Sequence, residues 1–196
     1  MPAIFMTYLV VGLLLFLGIH SLVIVSPSGR DRIAARLGEG RWKGLFALVS
    51  LAGFVLLIHG YGVARQQPML LYTPPLWARH LAATLMLAVF PLLFAAYLPG
   101  KIKARIGHPM LVAVTLWAVA HLLANGTLAD LALFGGFLAW AVAQLVSLRY
   151  RASRPLRTVA PRNLNDGIAV SLGLIVYVWF VLWLHVRLIG VAPLPM

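Results

Sequence analysis

Six histidines are the residues of this chain best equipped for chemistry: His20, His59, His80, His108, His121 and His185. An imidazole titrates near neutral pH, carries protons and binds metal through a ring nitrogen. The competing chemistries have little material to work with. Cysteine is absent, which removes thiolate ligands, Cys nucleophiles and disulfides. Four acidic residues in the whole chain leave little room for paired-carboxylate catalysis. No H-E-x-x-H and no carboxylate-rich pattern points to zinc or to a di-iron centre.

The elements that must position these histidines are apolar. The chain has 196 residues, 62% hydrophobic and 10% charged, with a mean hydropathy of +0.96. A soluble core of this length cannot hide so much apolar surface, so the natural solvent is lipid. Six runs approach the ~20 apolar residues that cross a hydrocarbon core: 3–25, 44–64, 76–98, 109–125, 128–148 and 167–189. The expected fold is all-α, a polytopic membrane protein with six transmembrane helices in one domain over 1–196. The first run lacks a basic leader and an A-x-A exit, so it reads as a retained helix rather than a signal peptide. There is no internal repeat strong enough for an inverted-repeat transporter.

Charge then sets orientation. The net charge of +12 and pI near 11.4 raise the question of nucleic acid. The positions answer it. Arg30, Arg32, Arg36, Arg41 and Lys43 fall in one loop, Lys101, Lys103 and Arg105 in a second, and Arg149, Arg151, Arg154, Arg157 and Arg162 in a third. The intervening loops and ends hold only Arg65, Arg79 and Arg187. The positive-inside rule puts the three basic loops in the cytoplasm and both termini on the non-cytoplasmic side. Charge divided among short juxtamembrane loops suits anionic headgroups, so the bilayer is the expected partner and nucleic acid is not.

Local punctuation agrees. Pro109 suits the first turn of the fourth helix, and Asn125-Gly126 is a turn signal before the fifth. Thr127 and Asp130 have the spacing of a capping box. Asn165 and Asp166 are expected to cap the sixth helix, and Pro91 should interrupt the third, freeing the carbonyl of Leu87. In the first basic loop, Ile33 and Leu37 are four apart, the spacing of a short amphipathic turn lying on the leaflet. The functional alternative is that Arg32 or Arg36 meets a cofactor's carboxylates or a partner protein.

His80 and His108 fall at helix entrances, where interfacial hydrogen bonding accounts for them. His20, His59, His121 and His185 fall inside helices. A lone intramembrane histidine can be a hydrogen-bonded packing residue, but four in one small protein point to a function. Two facing imidazoles are a standard way to hold haem iron, and the macrocycle suits apolar, aromatic walls. Depth favours His59 with His121, which lie about 12 to 15 residues from the cytoplasmic edge, whereas His20 lies about five in.

Several motifs carry a resemblance. G-I-H-S at 18–21, R-L-G-E at 36–39, G-L-F at 44–46, A-R-H-L at 78–81 and G-H-P at 107–109 are joined by L-W-A-V-A-H-L-L-A-N-G at 116–126 and L-F-G-G-F-L-A-W-A at 133–141. Over about residues 5–151 the chain resembles the NnrU family, bacterial membrane proteins linked to nitrite and nitric oxide respiration. The family is in turn similar to the 15-cis-zeta-carotene isomerases, which hold haem b. The resemblance implies haem ligands at His20 and His121, and ranks His20 above His59 as partner of His121. Trp117 and Asn125 would then flank the site, Trp117 as a haem wall or a packing aromatic and Asn125 as a turn residue or a ligand partner. The isomerases carry a Cys three residues before the second histidine, where this chain has Ala118. That departure removes the thiolate half of a redox ligand switch.

The expectation is therefore a multi-pass protein of the bacterial inner membrane that binds haem b, with a redox or isomerase-like role linked to nitrite and nitric oxide metabolism. Its expected partners are a hydrophobic small-molecule substrate or a respiratory membrane protein. The alternative is a non-catalytic accessory or assembly protein for a nitrogen-oxide respiratory system. A transporter is disfavoured by the near absence of buried acids and of helices broken by paired Gly or Pro.

Overall fold

The computed structural model describes residues 2–150 and 162–193, with side chains from residue 6 onward. Arg151, Arg154 and Arg157 of the third basic loop lie outside the described residues. Every regular element described is helical: α1 (Pro2–Val25), α2 (Pro27–Leu37), α3 (Glu39–Ala64), α4 (Leu76–Tyr97), α5 (Lys101–Ile106), α6 (Pro109–Ala124), α7 (Leu128–Tyr150) and α8 (Asn163–Trp179). A π turn (Phe180–Leu184) then leads into α9 (His185–Ile189).

Five helices are long and apolar enough to cross a membrane: α1, α3, α4, α7 and the continuous run Asn163–Ile189. The sixth expected span is α6, whose 16 residues reach only about 24 Å. The long helices are apolar on every side. Leu14, Leu48 and Leu182 are 69%, 69% and 74% exposed, which is stable only in lipid or against a partner. The chain is a multi-pass helical membrane protein.

It divides into two compact units: residues 1–72 with 127–147, and residues 73–126 with 148–196. In the first, α1 and α3 pack antiparallel through glycines. A Cβ on Gly12 would lie 2.5 Å from the backbone nitrogen of Leu57, and one on Gly53 would lie 2.6 Å from that of Phe16. A Cβ on Gly60 would strike the backbone of Leu9. Without a hydrophobic drive between helices in lipid, such close approach supplies the dispersion and packing that join them. Helix α7 lays Gly136 against Leu13 and Leu17 of α1. At its start the expected capping box forms: Thr127 N–H donates to Asp130 Oδ2 (3.0 Å) and Asp130 N–H to Thr127 Oγ1 (3.2 Å).

The basic loop 26–43 is more ordered than an amphipathic turn. Ser26 accepts from the Gly29 N–H at 3.1 Å and Pro27 fills the first turn, which starts α2. Gly38, at φ 83°, ends α2 and lets α3 start at Glu39, five residues earlier than the apolar run alone indicated. Glu39 in the first turn favours the helix macrodipole, and Lys43 sits one turn on.

In the second unit, Val89 and Leu92 of α4 pack with Ala113 of α6. Pro91 lies inside α4, and Gly173 of α8 is seated on it so closely that a Cβ would collide with the proline ring. The expected cap on the last helix is corrected. α8 starts at Asn163, and Asp166 instead accepts from Lys101 N–H (2.8 Å) and Ile102 N–H (3.0 Å), capping α5. Asn165 donates to the Pro99 carbonyl at 2.7 Å. The orphan amides of a short helix that begins after Gly100 take precedence over those of α8.

Candidate functional site

His20 is held by its own helix. Its Nδ1 lies 2.6 Å from the carbonyl oxygen of Phe16, one turn back. A carbonyl only accepts, so Nδ1 is the donor, and in the neutral imidazole this leaves the lone pair on Nε2. This is the second-contact arrangement that fixes the tautomer of ligating histidines. Aromatic rings surround the imidazole: Phe16 at 4.5 Å between centroids, Phe46 at 4.9 Å edge-on, and Trp140 at 6.1 Å and nearly perpendicular.

Phe46 and Trp140, with Trp42, wall a half-open cleft of about 500 Å³ within the first unit, a size that suits a small organic ligand. Ile19, Leu22 and Val23 continue the apolar wall, and Arg30 and Lys43 also line it. On the α7 side, Trp140 Nε1 and Gln144 Oε1 are buried without a hydrogen-bond partner. An unpaired buried polar atom costs about 1–3 kcal/mol, so both are positions that a bound polar group would stabilise. The cleft thus offers an imidazole, aromatic walls and two cations, with two unused polar atoms buried on its α7 side.

The other histidines are placed differently. His59 is exposed on α3 and meets Tyr8 edge-on at 5.5 Å. Since Tyr8 and His20 are twelve residues apart on α1, His20 and His59 are separated by about 18 Å along the helix pair. One metal ion, with nitrogen ligands at about 2 Å, cannot span that. His121 belongs to the second unit, where it repeats the local device of His20. Its Nδ1 is 2.8 Å from the Trp117 carbonyl oxygen, and the two rings are 5.2 Å apart. Trp117 packs on the Val89, Leu92 and Ala113 cluster. Asn125 is the helix cap, donating from both backbone and side chain to the His121 carbonyl at 2.9 Å. Ala118 is fully buried.

His108 is the exposed residue preceding the first turn of α6, and His80 is exposed on α4. His185 turns its Nδ1 to the Val191 carbonyl oxygen at 2.6 Å, beside the left-handed Gly190 that ends α9, a structural role. His20 is thus the one of the six that lines the cleft.

Two features escaped sequence reasoning. One is Phe16 four positions before His20, which repeats on α1 the spacing of Trp117 and His121 on α6. The other is a buried network: Tyr61 donates to Asp130 Oδ1 at 2.6 Å, while Asp130 Oδ2 accepts from the Thr127 hydroxyl at 2.7 Å. Arg65 lies 5.6 Å over the Tyr61 ring. Outside the helices, burial and the Asp130 charge raise the Tyr72 phenol above its ordinary range. Asp130 is 5% exposed, and its partners fix the start of α7.

Long apolar helices with a histidine cleft define a multi-pass α-helical membrane protein with a candidate ligand site in its first unit. The chain belongs to the NnrU family: the family model described as NnrU protein matches residues 8–193. The match runs through α8 and α9, beyond the stretch where the motifs are densest. No curated protein and no solved structure matches the chain.

Proposed function

We propose that this NnrU-family protein is a haem b protein of the bacterial inner membrane, with His20 as an iron ligand in the first unit. The observation that carries the reading is the His20 imidazole, fixed through Nδ1 on Phe16 with Nε2 left for a metal, in an aromatic cleft. The residues fit the group. His20 would hold the iron through a ring nitrogen and Phe46 and Trp140 would wall the group, with the unpaired Trp140 Nε1 and Gln144 Oε1 buried on the α7 side. Bound there, haem would supply one-electron redox chemistry or ligand binding at iron. His121, fixed by the same Nδ1-to-carbonyl device, is the counterpart candidate in the second unit. Helix α6 would count as the sixth span, with the three basic loops cytoplasmic and both termini outside.

A redox or isomerase-like role tied to nitrite and nitric oxide metabolism follows from the family resemblance. Ala118 supplies no thiolate for a ligand switch, which favours redox or ligand binding over isomerisation. The test is the haem content and absorption spectrum of detergent-purified protein from haem-replete cells. The expected result is a Soret band that shifts on dithionite reduction, with near-stoichiometric haem. Protein without Soret absorbance would leave the accessory reading in its place.

A further inference from the structure

We infer that Arg30 and Lys43 form a carboxylate-binding mouth to the His20 cleft and take the propionates of the haem, an inference that rests on the haem reading above. The two cations share one wall with His20. Phe46 touches the His20 ring, and Lys43 stands one turn before it on α3, with both lining the cleft. Trp42, 6.2 Å from Phe46 and 4% exposed, also lines the cleft. Arg30 reaches in from α2 with its guanidinium 5.9 Å over the Trp42 ring. Its side chain is only 21% exposed. A flat apolar ligand lying against Phe46 and Trp42 would bring an anionic edge to these two cations.

The acids nearby do not exhaust them. Asp31 at 3.0 Å and Glu39 at 3.7 Å both meet Nη1 of Arg30, which leaves Nη2–H and Nε–H of a five-donor group. Lys43 stands 4.0 Å from Glu39, the outer limit of an ion pair. Both acids are half exposed and neither lines the cleft. A carboxylate arriving from inside the cleft would find a planar donor fork and an ammonium in a partly apolar setting, where charge-assisted hydrogen bonds are strong. Arg32 and Arg36, the residues that sequence spacing nominated for this role, line a separate hollow of about 240 Å³ with Gly29 and Ile33. They are therefore the control.

The test titrates the full-length protein, prepared in detergent from haem-limited cells, with haemin and with haemin dimethyl ester, whose carboxylates are masked. The expected result is that haemin binds roughly tenfold more tightly than the ester. Arg30→Gln with Lys43→Gln should remove most of that difference while leaving ester affinity unchanged. Arg30→Lys with Lys43→Arg should restore it, and Arg32→Gln with Arg36→Gln should leave it intact. Equal affinity for haemin and ester, or equal weakening of both by the Gln pair, overturns the mouth and leaves haem at His20 standing. Failure of both compounds to bind overturns the haem reading and the mouth with it. A His20→Ala protein that still prefers haemin over the ester, with an altered spectrum, supports both.

Discussion

Asp130 carries more of the local structure than any other polar residue in the described chain, because three donors converge on its carboxylate. Tyr61→Phe removes one of them and should lower unfolding stability in detergent by about 1–2 kcal/mol. Asp130→Ala removes all three, the carboxylate half of the capping box among them, and should cost more, about 3 kcal/mol. Equal stability of Tyr61→Phe and the parent in a urea or thermal unfolding series would show that the bond contributes nothing. At this scale the sequence was partly legible. The Thr127–Asp130 cap follows from spacing, whereas Tyr61 is sixty-nine residues from its partner and no local pattern announces it. Likewise His20 and His121 stand out by residue type, but Arg30, Lys43, Trp140 and Gln144 join the site only through tertiary packing.

At the scale of elements, the α1–α3 pair depends on the absence of side chains at particular positions. Gly12→Ala and Gly53→Ala each place a methyl against backbone that cannot move aside, and each should destabilise by about 1–3 kcal/mol. Gly18, also on α1, faces open space. Gly18→Ala should be neutral or stabilising by up to about 1 kcal/mol, as helix propensity predicts. Thermal midpoints of the three variants in one detergent decide the matter; a ranking in which Gly18→Ala is the worst contradicts the packing described. The apolar runs predicted the helices within a few residues, because length and hydropathy are local properties. Two boundaries moved for physical reasons: Gly38 provides a break at which α3 can start early, and Asp166 is diverted to α5. The π turn at Phe180–Leu184 left no sequence signal, since every residue in it is apolar.

For the molecule as a whole, hydropathy and charge asymmetry are the informative features. The proposed topology, with both termini outside and the basic loops inside, predicts that an alkaline phosphatase fused at the C-terminus is active and a green fluorescent protein there dark. The chain has no cysteine, so single-Cys labelling tests the same topology without background. Gly40→Cys should be shielded from an impermeant thiol reagent in intact spheroplasts, and Gln67→Cys should react. The reverse pattern inverts the topology. The sequence made the membrane class and family plain, because both are spread over the entire chain. It could not disclose the cleft, which depends on how α1, α2, α3 and α7 bring distant side chains to one wall.

Cavity complementation tests whether His20 presents Nε2 to haem iron. In His20→Ala the described packing leaves an imidazole-sized space beside Phe46 and Trp140. His20→Ala should lose or shift the Soret band of the parent protein. Free imidazole at millimolar concentration should restore it, while His59→Ala keeps the parental spectrum throughout. A His20→Ala spectrum identical to that of the parent, with or without imidazole, would contradict the account.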